Sequence, residues 1–168
     1  MQAKSNHLEA RDTRHVSVQT IRTTLPEPLQ SLPGLLVKEG VALGRLSASE
    51  RRLVFALAWA SLPQSELSEG AVNRTLKSQL AGAARFLHTD HVELRRWLVD
   101  AGWLARDHYG SVYRRVDFSA LPPESRSVGA AFLGLDVEKL ATEIRGLHTA
   151  ERVARQKKWD ARKKAGIF

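Results

Sequence analysis

The sequence predicts a mainly α-helical protein with one small β-hairpin. Three observations carry this. Helix-start residues stand at Ser47, Ser68 and Asp90, each followed by apolar side chains that recur at helical spacing. Gly102 closes the third of these segments, where a left-handed C-terminal cap needs a glycine. Beyond it the pattern changes to two short runs rich in aromatic and β-branched residues, WLAR and SVYRRV, around the Gly-bearing turn DHYG.

The elements follow in order. Residues 1–34 are polar, show no clear period and end in Pro26, Pro28 and Pro33, which predicts a flexible N-terminal arm. Ser47 and Glu50 can satisfy each other's backbone amides in a capping box, and Leu53, Phe55, Ala56, Leu57 and Trp59 are too densely apolar for an exposed helix. Pro63 stops that helix near Ser61. From Ser68 the second helix is amphipathic, with Val72, Leu76 and Leu80 on one side and Asn73, Arg74, Lys77 and Ser78 on the other. Gly82 ends it, and Phe86 and Leu87 plug the core from the connection. Asp90 caps the third helix, with Glu93 at the capping-box position and Leu94, Trp97, Leu98 and Ala101 on its inner face.

Three helices and then a hairpin are the order of a winged helix-turn-helix, expected over residues 35–118. Residues 119–135, with Pro122-Pro123 and the stretch SVGAAFLGL, read as a connector. Residues 136–168 read as a C-terminal helix with a basic tail, capped by Asp136. There Val137, Leu140, Ile144 and Leu147 step by 3, 4 and 3, a short seam that suits either packing on the chain's own domain or a homodimer. Thr149 is placed to restart the helix after Gly146 and carry the tail to about Lys164.

Composition narrows the function classes. The 168 residues carry 26 Lys+Arg against 18 Asp+Glu, a net charge of +8, and no cysteine. Disulfide scaffolds, thiolate metal sites and cysteine nucleophiles are thereby excluded. Leu, Val, Phe and Ile make up about a quarter of the chain, above the ~20% needed for a core. The longest apolar stretch, Leu53 to Leu62, is far short of the ~20 residues that span a bilayer, and the N-terminus has no apolar signal core, so the expected location is the cytoplasm, away from membrane. Five of the eight net charges lie in the last twenty residues, where Arg152, Arg155, Lys157, Lys158, Arg162, Lys163 and Lys164 face only Glu151 and Asp160. Such a tail is drawn to polyanions, or else is a solvated helix end.

The candidate contacts to DNA are His91, Arg95 and Arg96 on helix three, Arg106, His108, Tyr109, Arg114 and Arg115 around the wing, and Lys157, Lys158, Arg162 and Lys163 in the tail. Arginine's planar fork matches guanine or phosphate, while an ion pair of Arg96 with Asp100, or of either arginine with Glu50 or Glu69, would make it structural. Glu93 would repel phosphate. Arg114 and Arg115 point to opposite faces of a strand, so at most one reaches a backbone. Trp59, Trp97 and Trp103 occupy core positions, whereas Trp159 sits among cations, able to stack on a base, enter a lipid interface or anchor the tail. His88 and His91 fall on either side of the cap Asp90, which does not suit a metal, and no nucleophile elbow, HExxH, P-loop or Rossmann glycine pattern is present. No cofactor and no enzymatic activity are expected.

Gly44-Arg45-Leu46, Glu50-Arg51-Arg52-Leu53, Leu67-Ser68-Glu69 with Val72-Asn73, and above all DHVELRRWLVDAGWLARDHYGSVYRR give the segment from about Leu35 to Val116 a resemblance to a family. It resembles an uncharacterised bacterial domain family found alone or in transcriptional-regulator-like proteins. The resemblance covers about half the chain and implies a winged-helix fold and a regulatory DNA-binding role, with no activity attached. Trp103, where an aliphatic residue is usual, and the added residues 1–34 and 120–168 depart from it. The sequence thus leads to a DNA-binding transcriptional regulator using helix three and the wing. Its alternatives are a winged-helix interaction or adaptor module, and RNA or ribosome association through the basic tail.

Overall fold

A computed structural model describes residues 16–166. Seven helices and a three-stranded antiparallel sheet surround one core: α1 (Val18–Thr24), α2 (Leu32–Leu36), α3 (Ala48–Ser61), β1 (Leu67–Ser68), α4 (Glu69–Ala81), α5 (His91–Asp100), β2 (Leu104–Arg106), β3 (Val112–Arg115), α6 (Pro123–Phe132) and α7 (Val137–Lys164). The strand order is β1-β3-β2. Register sets Leu67 opposite Tyr113 and Arg106 opposite the same residue.

The centre of the molecule is α3. Its start is the capping box expected from sequence: the Glu50 amide donates to Ser47 Oγ at 3.2 Å and the Ser47 amide to Glu50 Oε2 at 2.9 Å. Every residue from Leu53 to Trp59 is buried, so the helix is covered on all sides. Trp59 meets Trp103 edge to face, with centroids 5.9 Å apart, and its Nε1 donates to the Val116 carbonyl at 2.8 Å, tying α3 to the end of the wing. Gly102 takes φ +77°, and the Trp103 amide returns to the Leu98 carbonyl at 2.9 Å, closing α5 on its glycine.

Three expectations are corrected. The flexible arm of residues 1–34 does not hold for residues 16–34; they form α1, a 3-10 turn at Glu27–Leu29 and the start of α2, and bury Ile21, Leu29 and Leu32. The elements are too short to show a helical period, yet the apolar side chains are there to cover α7 and α6. Residues 1–15 lie outside the described residues. The connector is the helix α6: Pro122 and Pro123 occupy its N-cap and first position, where a missing N–H is harmless. It packs on α3 through Val128 and Phe132, and at Gly129 an added Cβ would stand 3.2 Å from Leu121 Cδ1 and 3.6 Å from Trp59. Finally, α7 runs unbroken through Gly146, with no restart at Thr149.

The seam of α7 faces inward. Ile144 is fully buried, and Val137, Leu140 and Leu147 are packed against the same core, so the chain itself covers the surface that a homodimer through these residues would need. Contact of α7 with α1 and α2 is reinforced by Glu151 Oε1, which accepts the Val18 amide at 3.0 Å.

Candidate nucleic-acid interface

The helix-turn-helix consists of α4 and α5, and the wing is β2, β3 and their turn. Asp90 caps α5 by accepting the amides of Val92 and Glu93, both at 2.8 Å; these bonds, the Glu93 one foremost, hold its carboxyl below the ordinary carboxylate range. Glu93 does not return the bond to the cap. Its Oε2 accepts the Thr89 hydroxyl at 2.5 Å instead. The wing turn is fixed by Asp107, which accepts the amides of Ser111 and Val112 at 2.7 and 3.0 Å and the Ser111 hydroxyl at 2.8 Å. Those bonds, the Val112 amide first, lower the Asp107 pKa, and Gly110 supplies the φ of +69° that the turn requires.

Between α5 and the wing lies a groove of about 400 Å³ lined by Arg95, Arg96, Val99, Asp100, Arg106 and Tyr113. The cations on its walls are not equivalent. Arg95 is held in place: it donates to Asn73 Oδ1, pairs with Glu69 at 2.8 Å and lies 5.4 Å from the Tyr113 ring centroid, leaving its side chain 11% exposed. It clamps α5 to α4 and β3. Arg96 and Arg106 are exposed and form no ion pair among the described residues; Asp100 does not bind Arg96. His91 opens α5 half-buried, and at the wing tip His108 meets the 88% exposed Tyr109 edge to face.

The last wing arginines separate as strand alternation requires. Arg114 turns outward and pairs with Glu66. Arg115 turns inward, lying 4.4 Å over the Trp59 ring and donating to the Leu62 carbonyl at 3.1 Å, and burial lowers its pKa from the ordinary value. Arg95 and Arg115 are therefore braces of the fold and not open nucleic-acid contacts.

The basic tail is the outer part of α7. Residues 152–166 are all exposed, so Lys157, Lys158, Arg162 and Lys163 project into solvent. Trp159 is not a docking anchor: it is 49% exposed, with Lys163 Nζ 5.2 Å from its ring centroid. Two further sets of cations stand outside the contacts expected from sequence. Arg74 and Lys77 stand exposed on α4, on the polar face already visible in its pattern. Arg85, Arg145 and Arg152 converge beside α2, signalled in sequence only by the helical spacing of Arg145, His148 and Arg152. Among the described residues no helix is long and apolar enough to cross a membrane.

The order helix, strand, helix, helix, strand, strand, with a groove between the last helix and the hairpin, defines a winged helix-turn-helix domain. Residues 46–115, from the end of the turn before α3 to the last residue of β3, match a family described as an uncharacterized protein conserved in bacteria, DUF2087. No curated protein and no solved structure was found to match the chain.

Proposed function

We propose that this protein binds nucleic acid, most fittingly duplex DNA, as a cytoplasmic transcriptional regulator. The carrying observation is the groove between α5 and the wing, with Arg96 and Arg106 exposed and unpaired on its walls and Tyr109 projecting from the wing tip. In this docking α5 enters the major groove with His91 and Arg96 toward the bases, while Arg106, His108 and Tyr109 meet the backbone. The basic end of α7 supplies phosphate contacts and most of the electrostatic attraction. Binding requires no catalytic group, and none is assigned.

The exposed face of α5 also carries Glu93 and Asp100, which favours a second reading, a protein-interaction module whose partner offers basic groups to that face. Fluorescence anisotropy with a mixed-sequence duplex decides between them, using the intact chain and an Arg96→Ala/Arg106→Ala variant. Weakening by about 1 to 3 kcal/mol from loss of the base-reading Arg96, together with a sequence-independent loss and a shallower salt slope from loss of Arg106, supports the first reading. Equal affinity in both proteins removes the α5 groove from nucleic-acid recognition, and preference for RNA over duplex of equal length overturns the choice of duplex DNA.

A further inference from the structure

A second groove, of about 420 Å³, lies between the end of α2, the turn after α4 and the middle of α7, lined among others by Lys38, Arg85, Arg145, His148 and Arg152. Its floor is a fixed cation. Arg145 Nε donates to the Leu36 carbonyl at 2.8 Å, Nη1 to Gly82 at 3.1 Å and Nη2 to Ala83 at 2.7 Å. Three of the five guanidinium N–H groups are thus spent on backbone and two remain. Arg145 has no carboxylate partner among the described residues.

Its neighbours add charge of the same sign. The side chains of Arg85 and Arg152 line the groove, where both residues are exposed, and make no hydrogen bond or ion pair among the described residues, and the half-buried His148 lines it with them. Lys38 is drawn off by Glu50 at 3.2 Å, and Glu39 is the one acid lining the groove. Burial and then the nearby Arg85 charge lower the Arg145 pKa, with Glu138 opposing them. Three guanidinium groups around one cleft repel one another until an anion bridges them, and planar forks suit tetrahedral oxyanions.

The groove also opens onto a track. Arg145, His148, Arg152, Arg155, Trp159 and Arg162 follow at steps of 3, 4, 3, 4 and 3, which puts them on one face of α7 over about 26 Å. We propose that this groove is a phosphate-binding site, in which Arg85 and Arg152 grip the oxygens of a phosphomonoester or phosphodiester above the fixed Arg145. The site uses none of the residues of the α5 groove and stands independently of the function proposed for it.

The test is a thermal-shift titration of the full chain with inorganic phosphate, against sodium chloride at equal ionic strength. At ten times the dissociation constant, phosphate raises Tm by about 3 to 6 °C beyond chloride. Arg85→Ala/Arg152→Ala removes that rise; both side chains are exposed, so the variant retains the fold. Arg96→Ala/Arg106→Ala keeps the rise whether or not it binds duplex, which separates this site from the α5 groove. No phosphate-specific rise, or an equal rise in the Arg85/Arg152 variant, overturns the proposal. The source of the phosphate follows from duplex titration of the same variant: at least a threefold loss of affinity assigns the groove to a nucleic-acid backbone, and unchanged affinity with the phosphate response abolished assigns it to a free phosphate ligand.

Discussion

Glu138, in the first turn of α7, reaches the turn after α4, where its Oε1 accepts the Ala83 amide at 2.8 Å. Ala83 is fully buried, so this bond satisfies an N–H that water cannot reach. The same carboxylate occupies the space beside Gly82, where an added Cβ would fall 2.4 Å from Oε1 and 2.5 Å from Oε2. Gly82→Ala is therefore expected to push the carboxylate off Ala83 and destabilise the protein by about 1 to 3 kcal/mol, the cost of leaving a buried donor unpaired. Glu138→Ala should cost about as much. Because both changes break one bond, the double variant should be no worse than Glu138→Ala alone, and urea unfolding of the three proteins checks this. Additive losses would mean that Gly82 matters for another reason.

The two neighbouring arginines of α5 should divide stability from binding. Arg95→Ala removes the Glu69 pair, the Asn73 bond and the stacking over Tyr113, and is expected to destabilise by about 1 to 2 kcal/mol. Arg96→Ala leaves stability within about 0.5 kcal/mol, because its side chain is exposed and unpaired. Duplex affinity should move the opposite way, falling for Arg96→Ala and, under conditions where both proteins are folded, holding for Arg95→Ala. Thermal denaturation and anisotropy on the same preparations check both halves.

How far the sequence revealed this arrangement depended on whether the signal was local. The Ser47–Glu50 box, the Asp90 cap, the Gly102 stop and the Asp107–Gly110 turn all act within five residues, and each is present as read. The strand β1 is two residues long and exists only through pairing with β3, about 45 residues away, so no periodicity announces it. The reading of α6 as a connector failed at Pro122-Pro123, which starts the helix instead of breaking one, and at Gly129, kept small by Leu121, Trp59 and Trp103. On the candidate site, alternation separated Arg114 from Arg115 correctly, but only the folded chain shows that Glu66, Glu69 and Trp59 occupy three of the expected contact arginines. The phosphate groove was beyond reach, since Arg145 meets Leu36 across 109 residues of chain.

Acid should loosen α5 through its cap. The Asp90 carboxyl titrates below its ordinary 3.8 because the folded state donates two amides to the ionised form. A depressed folded value means that the stabilisation is complete above about pH 4.8, one unit over the unfolded value, and is lost as pH falls through the lower folded value. Asn caps helices as well as Asp but does not titrate. Asp90→Asn is therefore expected to change Tm little at pH 7 and to lose less on going from pH 7 to pH 3 than the parent protein. Equal losses would show that the cap's ionisation is not coupled to folding.

The exposed end of α7 should govern the salt dependence of binding without touching the fold. Ending the chain after Arg152 keeps Glu151 on the Val18 amide and keeps Arg145, His148 and Arg152 in their groove. It removes Arg155, Lys157, Lys158, Arg162, Lys163 and Lys164, all on a stretch with no buried residue. Stability should thus change by no more than about 0.5 kcal/mol, as for other surface changes. For every phosphate that the shortened chain leaves unneutralised, the slope of log affinity against log salt becomes less steep by about 0.9. If three of the six cations touch phosphates, the fall in duplex affinity between 50 and 200 mM salt shrinks by about 40-fold in the shortened protein. An unchanged slope would place the phosphate contacts on the cations the shortened chain keeps, with Arg106 on the wing, Arg74 and Lys77 on α4, and Arg85 and Arg152 in the second groove as those to replace next.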